Sequence, residues 1–386
     1  MGKLHDGSSA TKLILMDRLF EHLLRHAEEA RQATVPFLAI SEEIGNVQEI
    51  TNDLRIKAPI RFLLACCLAK LDNPSYDIRK PYTEIGGQDT FSGRKYDERY
   101  IQKLIEQYDL PCNTTTAFLT PAFRNRNTVM RPDTRLLGRN PALYTKTLTL
   151  LSAVHEKRIT PESLLKEILR QLFIIRERNK GRIRQLMENL RQTNSTSSLS
   201  SEQIVNLLKQ HLASRNASRL PVLMVSAAYQ TLATKISENV LSLHAHNAAD
   251  SQTGAIGDVE VVIPGKPSPV TCYEMKDKTV TISDLQAAVK KVAKADVILD
   301  NYIFITTAKI EKEAQNYAEN LFEETGIEFV ILDCMAFIRH FLHFFHRHRT
   351  AFLEYYQQLV LAEPHSSVSQ PLKEAFLALR QASESD

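Results

Sequence analysis

Apolar side chains recur at helical spacing through the first half of the chain and alternate with polar ones, as in strands, in the second. Leu13, Met16, Leu19, Phe20, Leu23 and Leu24 form one stripe and predict a helix over about 11–33. Pro59 opens a second helix, PIRFLLACCLAKL, whose apolarity on all sides predicts burial. From 73 to 127 the chain is rich in Gly, Pro, Thr and Asn, interrupted by the helix-like DERYIQKLIEQY. Irregular backbone on that scale often carries binding residues. Further helices are predicted at 141–155 and from Pro161 towards Leu190. The run TNSTSSLSS, 193–201, has no apolar periodicity and favours turns, which predicts a linker there. It separates a mainly helical region, 1–200, from a second region, 201–386.

Beyond the linker the pattern predicts helices at 202–214 and 220–246, then the strands DVEVVI (258–263) and VTCYEMK (270–276) around the turn IPGKPSP. The helix SDLQAAVKKVAKA, the strand NYIFITT (301–307), a helix over 311–324, the strand EFVILD (328–333) and a last long helix from Met335 complete the order. Strands joined by a short turn are expected to be antiparallel, and those joined through helices parallel. The fold class is therefore α/β: a mixed sheet with helices on both faces.

Alternation along a strand puts Asp258 and Glu260 on one face of DVEVVI, and Cys272, Glu274 and Lys276 on one face of VTCYEMK. A hairpin of these strands brings Asp258 beside Glu274 and Lys276. Two or three carboxylates beside an ammonium suit phosphodiester hydrolysis with Mg2+, a hard cation that takes oxygen ligands. In that reading Asp258 and Glu274 hold the metal, with the Met275 carbonyl as a further ligand. Lys276 positions the attacking water and offsets charge on the phosphorane. A half-exposed amphipathic strand shows the same alternation, so the string alone is short evidence. Its place on a hairpin followed by a helix and a strand strengthens it, and Gly257 leaves room at the start of the first strand. Glu260 supports or substitutes for Asp258. Glu238, on the helix before the hairpin, is either an extra acidic ligand or a solvated helix charge. Gln286, on the following helix, either contacts the metal water or a phosphate, or is an ordinary exposed residue.

The whole composition adds less. A net charge of +3 is close to neutral, so any affinity for nucleic acid must come from where the charge sits. Five cysteines without a CxxC pair suggest neither a zinc ribbon nor a disulfide framework, and fit a reducing cytoplasm. The N-terminal segment reads as an amphipathic helix rather than a signal peptide. No stretch approaches the ~20 apolar residues of a spanning helix, so no membrane is expected. There is no P-loop or dinucleotide fingerprint.

Through GAIGDVEVVIPGKPSPVTCYEMKDKTVTISDLQ (254–286) the chain resembles type II restriction endonucleases of the PD-(D/E)xK class, in particular the SacI-like group. A looser likeness covers SGRKYDERYIQKLIEQYDLPCNTTTAFLTP (92–121). Gly257 stands where the class usually has Pro before its first acidic residue. The resemblance implies a restriction-endonuclease-like core and Mg-dependent cleavage of double-stranded DNA at a short specific site. It also implies a homodimer, since a two-fold protein matches a palindrome.

Two groups of basic residues could meet such a substrate, because neutralising phosphates supplies most sequence-independent affinity. Arg124, Arg126, Arg131, Arg135 and Arg139 are opposed only by Asp133, and Asn125 and Asn127 beside them offer donors for base edges. Arg94 and Lys95 belong to a stretch, 92–97, whose hydroxyls and charges serve DNA contact or helix capping. On the long helix, Arg170, Arg176, Arg178, Lys180, Arg182 and Arg184 are either a DNA face or a solvated one laced with ion pairs. His340 and His343, three apart, could form a metal pair, though packing explains such pairs more often. Two other functions stay open: another nuclease of the same class, for repair or modified DNA, and a DNA-binding protein that does not cut.

Overall fold

A computed structural model describes residues 7–53, 55–113, 115–124, 126–193, 199–241, 243, 255–266, 268–295 and 297–385, with the side chains of 7–17 and 193 excepted. The chain forms two compact units, Met1–Gly181 and Arg182–Asp386. The division falls inside a long helix; of the linker predicted at 193–201, residues 194–198 lie outside the described part of the chain.

The first unit is built from helices α1 (Gly7–Gln32), α2 (Ser41–Asn52), α3 (Ala58–Asp72), α4 (Gly93–Tyr96), α5 (Gln102–Tyr108) and α6 (Pro141–His155), together with the first part of α7 (Pro161–Thr193). A π-turn at Asp97–Ile101 joins α4 to α5. Helix α2 has no counterpart in the predicted order; Glu, Asn and Gln outnumber its apolar positions, yet Val47 and Ile50 are buried. As its composition requires, α3 is buried nearly all round, and Phe62 stacks on Phe123 at 4.0 Å.

The Gly- and Thr-rich stretch is held to this core by a buried ion pair. Arg61 Nε on α3 donates to Asp97 Oδ1 at 2.8 Å, and its Nη1 donates to the Asn113 carbonyl. The Thr116 hydroxyl and the Ala117 N–H donate to Asp97 Oδ2. An unpaired buried charge is strongly destabilising, so this carboxylate is satisfied from both sides.

The second unit is a five-stranded sheet whose spatial order follows the chain: β1 (Asn239–Val240), β2 (Val259–Val262), β3 (Thr271–Lys276), β4 (Asn301–Thr306) and β5 (Glu328–Asp333). The first two pairings are antiparallel and the last two parallel; the connections predict those of β2 to β5, whereas β1 lies where a helix is expected. One face, with Val259, Val261, Tyr273 and Ile305, packs on α8 (Ser201–Leu212), α9 (Leu220–Ile236), α12 (Cys334–Phe344), α13 (Arg349–Ala362) and α14 (Gln370–Ser385). The other, with Cys272, Tyr302, Phe304, Phe329 and Ile331, packs on α10 (Ile282–Ala295) and α11 (Lys312–Thr325).

Two predicted helices are shorter than their patterns suggest. The helix expected over 220–246 stops at Ile236, because Ser237 takes a left-handed conformation (φ 54°) and β1 follows. Residues 244–246 lie outside the described part of the chain. The single helix expected from Met335 is three, broken first by a 3-10 turn at His346–His348 and again around Pro364.

Candidate active site

The register of the hairpin decides which side chains meet. Val259 is opposite Tyr273, and Glu260 opposite Cys272. Directly opposed residues share a face, so Glu260, Cys272 and Glu274 turn towards α10 and α11, with Tyr302 and Phe304 beside them on β4. Asp258 sits just before β2. Its N–H donates to the Tyr273 carbonyl at 2.7 Å, and its Oδ2 accepts the Met275 N–H at 2.7 Å. A Cβ on Gly257 would stand 2.7 Å from the Tyr273 carbonyl oxygen, too close for any larger residue without a backbone shift. Glycine at this position lets the chain approach β3 closely enough for Asp258 to reach it.

Glu274 is the most heavily engaged group. Lys276 Nζ donates to its Oε1 at 3.0 Å, while Lys291 Nζ on α10 lies 3.7 Å from its Oε2. The Tyr302 hydroxyl donates to the Ile256 carbonyl at 3.1 Å and reaches Glu274 Oε2 at 3.3 Å. Lys276 also lies 3.7 Å from Asp284 Oδ1, and Asp284 is fixed by reciprocal hydrogen bonds with Thr281 at the start of α10.

The charges act on one another. Burial raises the Asp258 pKa, the Met275 N–H counteracts it, and the nearby negative charge of Glu274 raises it further. Burial alone would lower the Lys276 pKa, but Glu274, Asp284 and Asp258 outweigh it and hold the ammonium above its ordinary range. Asp258, Glu274 and Lys276 thus form one electrostatic group, as the alternation predicts.

An open cleft of about 810 Å3 lies where β3 and β4 end, with Asp258, Met275 and Lys276 on one side and the α8–α9 connection on the other. Clefts at the carboxyl ends of parallel strands are the usual binding places of open α/β sheets. Glu274 does not line this cleft; it stands behind Lys276, against Tyr302 and α10.

The other expected site residues are dispersed. Glu260 Oε1 accepts the Ile256 N–H at 2.6 Å, so it braces the turn before Asp258. Glu238 follows the end of α9 rather than lying on it, and its charge acts on Tyr229 and Tyr273, on the opposite face from Glu274. Gln286 is exposed on α10. Lys291, Tyr302 and Asp284 had no place in the sequence reading. The threonine three residues before Asp284 and the alternation of NYIFIT were the available signals for two of them.

In the first unit Arg124, Asn127, Arg131, Arg135 and Arg139 are exposed, and Asn125 lies outside the described residues. Arg126 is partly occupied, donating to the Ala122 and Pro121 carbonyls. Arg94 is exposed and paired with Glu98, and Lys95 is exposed beside it.

The long helix is less available than its composition suggests. Arg170 is buried on Glu167, Arg176 binds the Tyr108 carbonyl and Glu177, and Arg182 pairs with Glu374. His340 stacks on Phe344, whereas His343 Nε2 lies 2.9 Å from Glu202 Oε1, so the two histidines have separate partners.

Among the described residues, the one cluster of three possible ligands within 4.8 Å is His26, Glu29 and Glu162. Lys166 Nζ lies 2.5 Å from both of these carboxylates, so an ammonium already balances their charge.

Residues 196–307 match the family model described as the SacI restriction endonuclease C-terminal domain, which suggests a restriction enzyme. The matched segment contains the hairpin, α10, β4 and both sides of the cleft except Met335. No curated protein matches the chain. Among the described residues no helix is long and apolar enough to cross a membrane.

Proposed function

We propose that the chain is a type II restriction endonuclease of the PD-(D/E)xK kind, which hydrolyses phosphodiester bonds of double-stranded DNA at a short specific site using Mg2+. The observation that carries this reading is the convergence of Asp258, Glu274 and Lys276 within the matched segment, with Asp258 and Lys276 lining a cleft and Glu274 behind Lys276.

The donor set fits a hard divalent cation. Two partly buried carboxylates close enough to repel gain from a cation between them, and oxygen donors are those magnesium takes. Asp258 and Glu274 would hold the ion, with the Met275 carbonyl as a further donor. Bound there, it would polarise the phosphoryl oxygen and lower the pKa of a water. Asp258 is oriented by the Met275 N–H, and Glu274 by Tyr302 and Lys291. Lys276 contributes an ammonium that hydrogen-bonds the incoming water or a phosphoryl oxygen, and it stabilises negative charge as that charge develops. Glu260 has a supporting role, since its carboxylate is used on the backbone before Asp258.

Exposed Arg124, Arg131, Arg135 and Arg139, with Asn127, are proposed to contact the DNA in the first unit. A homodimer on a palindromic site goes with this reading. The test is incubation of the full chain with plasmid DNA and Mg2+, followed by mapping of fragment ends. Discrete ends within one short sequence are expected. Cleavage restricted to modified DNA would favour a modification-dependent nuclease, and binding without cleavage would leave only a DNA-binding protein.

A further inference from the structure

The side of the cleft facing Asp258 is contributed by the end of α8, the following loop and the start of α9, and its chemistry differs from that of the carboxylate side. It presents the Lys209 ammonium, the Ser214 and Ser218 hydroxyls and the Asn216 amide, and no carboxylate. Lys209 and Asn216 are exposed. Asn216 takes a left-handed conformation (φ 60°), tolerated better by asparagine than by most side chains, which turns the loop at the cleft. Pro221 and Val222, in the first turn of the 17-residue α9, also line it, so the positive end of that helix faces the same space.

A cation with neutral donors and no acid is the composition of a phosphate-backbone contact, which positions a strand without reading its bases. The opposite side holds the groups that act on one phosphate. Successive phosphates repeat along the strand, and a cleft of about 810 Å3 has room for more than the reacting one. We infer that the α8–α9 side of the cleft, led by Lys209, seats the phosphodiester backbone of the strand being cut, next to the phosphate at Asp258 and Lys276. This rests on the endonuclease reading above. In this arrangement Lys209 supplies affinity and register, and takes no part in bond cleavage.

The experiment uses the full chain, a fluorescent duplex containing its cleavage site, and a duplex of scrambled sequence. Binding is measured in Ca2+ across a salt series, and cleavage in Mg2+. Lys209→Ala is expected to weaken binding roughly tenfold at 0.1 M salt on both duplexes, and to reduce the salt slope by about one. Its rate at saturating protein should stay within about twofold of wild type, Lys209→Arg should restore affinity, and Lys266→Ala, in the turn at the far end of the hairpin, should change little. Unchanged affinity and slope in Lys209→Ala, with wild-type cleavage intact, would overturn the backbone seat and leave the endonuclease reading standing. So would a loss confined to the saturated rate. Absence of cleavage by wild type in Mg2+ would overturn the endonuclease reading itself, and the seat with it.

Discussion

Asp258, Glu274 and Lys276 were legible because a strand alternates sides and a short turn fixes the pairing of its two arms. Alternation also placed Glu260 on the same face and could not rank it against Asp258. The structure separates them through the Ile256 N–H, which Glu260 accepts, and the Met275 N–H, which Asp258 accepts. Lys291 and Tyr302 were illegible because they reach Glu274 from α10 and β4, whose packing no local pattern specifies. Tyr302 allows a test at this scale. Tyr302→Phe keeps the ring stacked on Phe329 and removes the hydroxyl that orients Glu274. The loss of one net hydrogen bond, about 1 kcal/mol, should slow cleavage about fivefold with little change in DNA affinity. Single-turnover rates on one duplex check this; an unchanged rate would mean that the hydroxyl does not orient Glu274.

Among elements, strands were predicted more closely than helix ends. The span 328–333 is β5 as predicted, and 141–155 is α6, each bounded by residues that stop or start the pattern. The predicted final helix failed because hydrophobic spacing continues through Phe345 and Val360, while the turn at His346–His348 and Pro364 redirect the backbone. Those redirections form the support of α8: buried His211 donates from Nε2 to the Leu372 carbonyl on α14, which leaves Nδ1 of the neutral ring to accept from the Tyr356 hydroxyl on α13, each at 2.9 Å. Burial lowers its pKa from 6.5 to about 4, with the Leu372 carbonyl opposing. Between those values the unfolded chain binds a proton that the folded chain does not, so stability falls as pH drops through this window. Between pH 7 and 5 the loss from this group is about 2 kcal/mol. Denaturant unfolding at the two pH values should show a smaller decrease in His211→Gln than in wild type by that amount. Equal decreases would show that His211 does not stay neutral in the fold.

At the scale of the whole molecule, the α/β class and the mixed sheet followed from the order of elements, since parallel strands need crossovers and antiparallel ones do not. The division at Gly181 was not legible, because α7 carries one continuous helical pattern across it. The first unit offers exposed arginines, and the second a carboxylate pair, an ammonium and a cleft. In the proposed reading these are the separate tasks of an endonuclease, sequence recognition and bond cleavage. The most direct measurement compares wild type, Asp258→Ala and Glu274→Ala in cleavage of one duplex with Mg2+, alongside binding of that duplex by each protein. The account predicts that wild type cuts, and that each variant cuts at least about a thousandfold more slowly while still binding. Cleavage by Glu274→Ala at the wild-type rate would contradict it.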